Sequence, residues 1–323
     1  MIFPWHKNQW QQLGRMKDDK RLPHALLLSG MAGIGKAQFA EAFARLLVCE
    51  KSDLQQSCDT CHACRLVMTK VHPDVLWVQP EEENSVITID QIREVTHFIN
   101  QSSSEGRGKV VIICFADQMN MYAANALLKT LEEPTPGSLL MLVSDQSDRL
   151  LATIRSRCQF LIFPRPDREP ALTWLRSQLK NNDLQPELLL TIANGAPLCA
   201  LRLAEKDMLS LRQSIFDAFS LAQDPLHVAT TIQDHSILRI LDFSLSWITD
   251  LLRLQLGASK HNMVNHDYTK QLLEFSMKTN IDKNSKFMVY LLSLRKQISQ
   301  GINLNKQLTL ESIWIQWNME CII

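Results

Sequence analysis

The chain has 323 residues, 46% of them hydrophobic and 21% charged, and its 34 basic and 34 acidic side chains leave a formal net charge of zero. That balance argues against a protein that coats nucleic acid by bulk electrostatics, and 12 Pro with 10 Gly are too few for a disordered or collagen-like chain. The longest apolar run, Val110–Ala116, is far short of the roughly 20 residues of a membrane span, and MIFPWHKNQW lacks a leader-like apolar core, so a soluble cytoplasmic protein of two or three domains is expected.

In chain order, Ala25–Ser29 reads as a buried strand, followed by a glycine-rich turn and a helix over Lys36–Val48. Val75–Val78 is a second strand. Ile87–Ile89 leads into a helix with Asp90 as its expected N-cap and Ile92, Val95, Phe98 and Ile99 as its apolar stripe. Val110–Cys114 is a third strand, Ala123–Glu132 a helix stopped by Pro134, Leu139–Val143 a fourth strand and Phe160–Phe163 a fifth. Strands alternating with helices predict an α/β domain on a parallel sheet. PRPDREP, Pro164–Pro170, suits a linker, and beyond it the pattern is helical throughout. Ala171–Leu179, Pro186–Ala193 and Ala200–Ala204 are short helices. Ser236–Leu256 is the clearest long one, with Arg239, Asp242, Ser246, Asp250 and Arg253 opposite a broad apolar face. Tyr268–Lys278, Lys286–Ser299 and Asn305–Trp317 complete an expected α-bundle.

Two constellations carry chemistry. Gly30, Gly33, Gly35 and Lys36 lie in GMAGIGKA, which supplies the G-x-x-x-x-G-K of a phosphate loop between a strand and a helix. Backbone amides there wrap phosphates, the helix N-terminus favours anions, and the lysine reaches the terminal phosphates. Position 37 is alanine where a Mg²⁺-ligating hydroxyl is needed, and the Val110 strand ends in Cys114-Phe115-Ala116 rather than in a carboxylate. Nucleotide binding without efficient hydrolysis is what these residues leave open. The second constellation is Cys58-x-x-Cys61-x-x-Cys64, to which Cys49 returns as a fourth thiolate. Four thiolates fill a tetrahedral Zn²⁺ with no position left for water, so the metal would be structural. His24 and His72 read as structural histidines, and nothing pairs Glu132 and Glu133 with a nucleophile. Lys283, Lys286, Arg295 and Lys296 read as a solvated helix face.

NALLKTLEEP, Asn125–Pro134, followed by LLATIRSRC, Leu150–Cys158, resembles the clamp-loader branch of the AAA+ ATPases. The cysteine cluster, His72–Val75 and Gly301–Asn303 narrow the resemblance to bacterial DNA polymerase III. It implies an AAA+ core at 1–165 with a zinc module inserted at 49–64, a helical lid at 166–207 and a helical collar at 208–323 that joins subunits into a ring. The resemblance implies Asp-Glu where Cys114 and Phe115 stand, and a nucleotide-sensing arginine where Leu198 stands. It further implies that Arg157, within Ser156-Arg157-Cys158, faces the ATP of a neighbouring subunit. The implied role is a non-hydrolysing member of a hetero-pentameric loader. That loader, part of a DNA-directed DNA polymerase holoenzyme, places the sliding clamp on primed DNA. An autonomous P-loop ATPase and a zinc-dependent nucleic-acid binding module are the competing readings.

Overall fold

A computed structural model describes residues 2–51, 56–82, 85–104, 106–179, 184–221, 224–259, 263–299, 302 and 304–320. These group into two compact units, Met1–Trp174 with Gly195–Cys199, and Leu175–Asn194 with Ala200–Ile323. The expected lid, 166–207, is divided between them. The Gly301–Asn303 motif has its two outer residues outside the described set.

The first unit is built on five strands, β1 (Ala25–Ser29), β2 (Val75–Val78), β3 (Val110–Ile113), β4 (Leu139–Ser144) and β5 (Gln159–Ile162), in the spatial order β2-β3-β4-β1-β5. All pairings are parallel. Strands β1, β3 and β4 are unbroken apolar runs because helices cover both sheet faces. Alternate residues serve opposite faces: Leu26, Leu28, Ile112, Met141 and Val143 join Leu13, Phe39 and Phe43 on one side. Leu27, Val111, Ile113, Leu140 and Leu142 join Val95, Leu127 and Ile154 on the other. The first layer belongs to helices α1 (Lys7–Asp18), α2 (Lys36–Val48) and α3 (His62–Met68). The second belongs to α4 (Ile89–Ile99), α5 (Met121–Glu132) and α6 (Ala152–Arg155).

Local chemistry corrects the expected N-cap. Helix α4 starts at Ile89 behind Thr88, whose hydroxyl accepts from Gln91 N at 3.5 Å while Gln91 Oε1 accepts from Thr88 N at 3.0 Å. This reciprocal box satisfies two orphan amides, so Asp90 falls inside the first turn and pairs with Arg93. Helix α1 was not anticipated: its sequence is mostly polar, and only Gln9 and Leu13 of it are buried. The HPDV motif also has a packing explanation. Buried Asp74 accepts from Ser103 Oγ and Ser104 N, each at 2.9 Å, and from Lys109 Nζ at 3.3 Å, tying the β2 entry to the β3 entry.

The second unit is all helical. It contains the end of α7 (Arg168–Gln178), α8 (Pro186–Ile192), most of α9 (Pro197–Leu203), α10 (Lys206–Leu221), α11 (Pro225–Ile232), α12 (Ile237–Gln255), α13 (Thr269–Lys278), α14 (Ile281–Ser299) and α15 (Lys306–Glu320). Phe216, Phe219, Trp247, Phe287, Trp314 and Trp317 form its aromatic centre. Asp250, on the polar side of α12 by pattern, is fully buried and accepts from Val264 N at 2.9 Å and Asn265 N at 2.8 Å. Arg295 pairs with Asp242 at 2.7 Å rather than standing free. No described helix is long and apolar enough to cross a membrane.

The N-terminal aromatic knot yields a pH prediction. His6 is 1% exposed and meets Phe3, Trp5, Phe39 and Phe163 edge-on. Burial, reinforced by the Lys36 charge, lowers its pKa from 6.5 to about 4. The unfolded chain therefore binds a proton near pH 6.5 that the folded chain refuses until about pH 4. Stability is undiminished above the first value and falls between the two, by roughly 3 kcal/mol in all. Urea titrations at pH 7 and pH 5 should show a smaller loss for His6→Phe than for the unsubstituted chain. Equal losses would remove His6 as the cause.

Candidate functional site

Parallel strands collect their following loops at one end of the sheet. The loop after β1 is Gly30–Gly35, and β4 is followed at the same end by Asp145. Gly33 and Gly35 take positive φ of 74° and 96°, conformations that ordinary side chains resist. Lys36 is 3% exposed, and its ammonium lies 2.6 Å from Gly30 O, 2.7 Å from Met31 O and 2.6 Å from Asp145 Oδ1. A lysine ammonium has three N–H donors, and all three are matched within the chain. Asp145 is itself held, its backbone N–H donating to Asp117 Oδ1 at 3.1 Å.

The outer wall of the loop is packed as well. Trp5 Nε1 donates to Ile34 O at 2.8 Å, and Leu198 N donates to Gly33 O at 3.0 Å. A β-carbon on Gly35 would lie 2.4 Å from the Phe3 ring, and one on Gly33 would lie 2.2 Å from Cys199 Sγ. Phe3 and Trp5 stack on each other and meet Trp174 edge-on. At the end of β3, Cys114 is buried, and burial pushes its thiol up to about 11. Phe115 follows at φ 55° and is 44% exposed. A neutral thiol, a phenyl ring and the methyl of Ala37 supply no Mg²⁺ ligand, so the residues at these positions do not fit a catalytic magnesium–nucleotide complex.

The cysteines do fit a metal. Sγ atoms of Cys49, Cys58, Cys61 and Cys64 all lie within 4.8 Å of one another. Tetrahedral Zn²⁺ with Zn–S of about 2.3 Å needs sulfurs about 3.8 Å apart, a small contraction. Amide groups already point at the sulfurs: Cys58 N donates to Cys49 Sγ and Cys61 N to Cys58 Sγ at 3.3 Å, and Cys64 N to Cys61 Sγ at 3.4 Å. The last of these caps α3, a helix hidden by the cysteine spacing in the sequence. N–H groups of Thr60 and Cys61 pull the Cys58 thiol down to about 6. Burial pushes Cys64 up, a penalty that a cation's charge offsets. Glu50 Oε1 accepts from Ala63 N at 3.2 Å and closes the loop, leaving four sulfurs and no fifth donor in the described cluster.

Ser156, Arg157 and Cys158 occupy the turn between α6 and β5. Ser156 Oγ donates to Thr153 O at 3.0 Å, and Cys158 is 8% exposed in the second core layer. Between these two anchors Arg157 stays accessible, with Nη1 donating to Thr153 O at 3.0 Å and Nη2 2.7 Å from Glu132 Oε1. Arg155 turns instead to Asp148 at 3.2 Å. The β1–β5 register sets Leu26 against Gln159 and Ser29 against Ile162. Arg157 lies two residues before β5, at the amino ends of the strands, and Gly30 follows β1 at their carboxyl ends, with the length of β1, about 16 Å at 3.3 Å per residue, between the two ends. Two partners were missed in the sequence, Asp145 for Lys36 and Glu132 for Arg157. Each lies at an element end, where spacing alone does not reveal what it faces.

The family model described as DNA polymerase III, delta subunit, matches residues 5–167, and the one described as DNA polymerase III, delta subunit, C terminal, matches 206–319. DNA polymerase III subunit delta' of Pseudomonas aeruginosa is 34% identical over 98% of this chain and 97% of its own. The chain belongs to the DNA polymerase III delta' family. The delta' subunit of Yersinia pestis is 30% identical over 98% of this chain and 95% of its own, and that of Escherichia coli 26% over 97% and 94%. A solved gamma subunit-related protein from Thermotoga maritima aligns over 97% of this chain and 99% of its own, at 20% identity and a TM-score of 0.49. The fold of this delta' family member is a five-stranded parallel sheet covered by helices, with an all-helical second unit.

A metal prediction follows from the four sulfurs. The purified chain should carry close to one zinc per molecule, and Cys64→Ser should lose it and lower the thermal midpoint by roughly 10 °C, the shift expected from a few kcal/mol. A metal-free native chain of unchanged stability would contradict the assignment.

Proposed function

We propose that this chain is a non-hydrolysing subunit of the DNA polymerase III clamp loader that supplies Arg157 to the ATP of a neighbouring subunit. The observation that carries the reading is the separation of Arg157 from the chain's own phosphate loop. The turn that carries Arg157 precedes β5 and the phosphate loop follows β1, so the two lie at opposite ends of a parallel sheet. A guanidinium is planar, permanently charged and rich in donors, suited to the charge that develops on transferring phosphoryl oxygens. Ser156 and Cys158 fix the turn that presents it.

The rest of the chain supports the same role. Lys36 is saturated by Gly30, Met31 and Asp145, so the phosphate loop serves as an internal joint of the core. Cys49, Cys58, Cys61 and Cys64 would hold a structural Zn²⁺ that cross-links the end of α2 to α3 and offers no site for water. The chain divides functionally into a core at 1–165, a lid at 166–207 and a collar at 208–323. The collar bundle would assemble with ATPase subunits and the delta subunit into a five-membered ring acting on the sliding clamp and primed DNA.

Reconstitution tests this. The chain alone should show no ATP turnover, while the loader rebuilt with Arg157→Ala should lose the turnover of the adjoining site, by about 10³- to 10⁵-fold there. Arg157→Lys should not restore it, because a point charge lacks the planar fork. Turnover by the isolated chain, or an undiminished rate in the Arg157→Ala loader, would overturn the proposal.

A further inference from the structure

The ion pair between Arg157 and Glu132 has no part in the sheet or in either core layer. Glu132 is the last residue of α5, where the helix dipole disfavours a carboxylate, and Glu133 adds a second negative charge beside it. Pro134 stops the helix there. Carboxylates at such a position are tolerated when a cation meets them, and the cation is Arg157, 2.7 Å from Glu132 Oε1. Leu127 and Leu131 of α5 are buried in the same core layer as Ile154 and Cys158, so the two partners stand on elements packed together.

Resting on the reading of Arg157 as the donor in trans, we infer that Glu132 is its positioning residue. It holds the guanidinium, together with Thr153 O, in the pose that meets a neighbour's phosphate. Arginine carries five N–H donors. Glu132 and Thr153 engage one on each Nη, which leaves Nε–H and a second N–H on each Nη for an incoming anion. The pair is half exposed, 35% for Arg157 and 51% for Glu132, and such pairs add little to stability. Its effect is on order: a long side chain already held in one rotamer loses less freedom when it binds. Arg155 lacks this support, since its partner Asp148 is 98% exposed.

The loader should be rebuilt with Glu132→Ala, Glu132→Gln, Arg157→Ala and the Arg157→Ala/Glu132→Ala pair, and assembly of each checked by size exclusion. Glu132→Ala should lower kcat at the adjoining site roughly fivefold with KM for ATP unchanged. Glu132→Gln keeps the accepting oxygen and should recover most of the rate. In the Arg157→Ala background Glu132→Ala should change nothing further, because its effect passes through the guanidinium. A full rate for Glu132→Ala beside a lost rate for Arg157→Ala would overturn the inference and leave the donor reading intact. So would a Glu132→Ala loss that persists in the Arg157→Ala background or accompanies failed assembly. A full rate for Arg157→Ala would remove the donor reading itself, and Glu132 with it.

Discussion

The double-sided burial of a parallel sheet is the constraint on which the first unit depends. Strands β1, β3 and β4 carry apolar side chains on both faces, so helices must cover both, and every connection must cross from one end of the sheet to the other. The phosphate loop, the Cys114-Phe115 turn and Asp145 thereby gather at the carboxyl ends of the strands. The Ser156-Arg157-Cys158 turn, which precedes a strand, falls at the amino end. No adjustment of rotamers bridges the length of the strand between them, about 16 Å. On the proposed reading, a phosphate loop and an arginine so separated serve two different subunit boundaries.

Within that frame the Gly30–Lys36 loop is packed from inside the chain. A lysine ammonium buried beside a loop of carbonyls must be hydrogen-bonded or neutralised. Here Gly30, Met31 and Asp145 do both, and the carboxylate supplies the negative charge that a phosphate brings to an active loop. The aromatic knot of Phe3, Trp5, His6 and Trp174 closes the outer side, with Trp5 bonded to Ile34 O. Ala37, Cys114 and Phe115, which offer no oxygen ligand for Mg²⁺, and the filling of the loop point in one direction. On the proposed reading, both remove a catalytic requirement and leave the fold that the arginine turn needs.

The sheet was legible because buried parallel strands are continuous apolar runs: Ala25–Ser29 and Val75–Val78 match the expected bounds, β3 and β4 differ by one residue at one end, and β5 is shifted by one residue. The phosphate loop and the four cysteines were legible because their chemistry demands fixed spacing. Helix α1 was hidden because its buried face is only Gln9 and Leu13, and α3 because cysteine spacing dominated its sequence. The Thr88 cap, the burial of Asp250 and the pairing of Lys36 with Asp145 depend on partners distant in sequence or on side-chain direction. A polar stripe on a helix says which residues share a face, and only the fold says whether water or another backbone meets it. Glu132 illustrates this most clearly, since its motif was recognisable while its partner, twenty-five positions on, was not.

The central claim is that this chain contributes an arginine and no catalytic phosphate site. The most direct test is the steady-state ATP turnover of one reconstituted loader carrying either Lys36→Met or Arg157→Ala. The methionine keeps the aliphatic stem and removes the charge that an active phosphate loop requires. The account predicts that Lys36→Met turns over ATP at the unsubstituted rate while Arg157→Ala loses the adjoining site. The opposite pattern, a loss with Lys36→Met and none with Arg157→Ala, would contradict it.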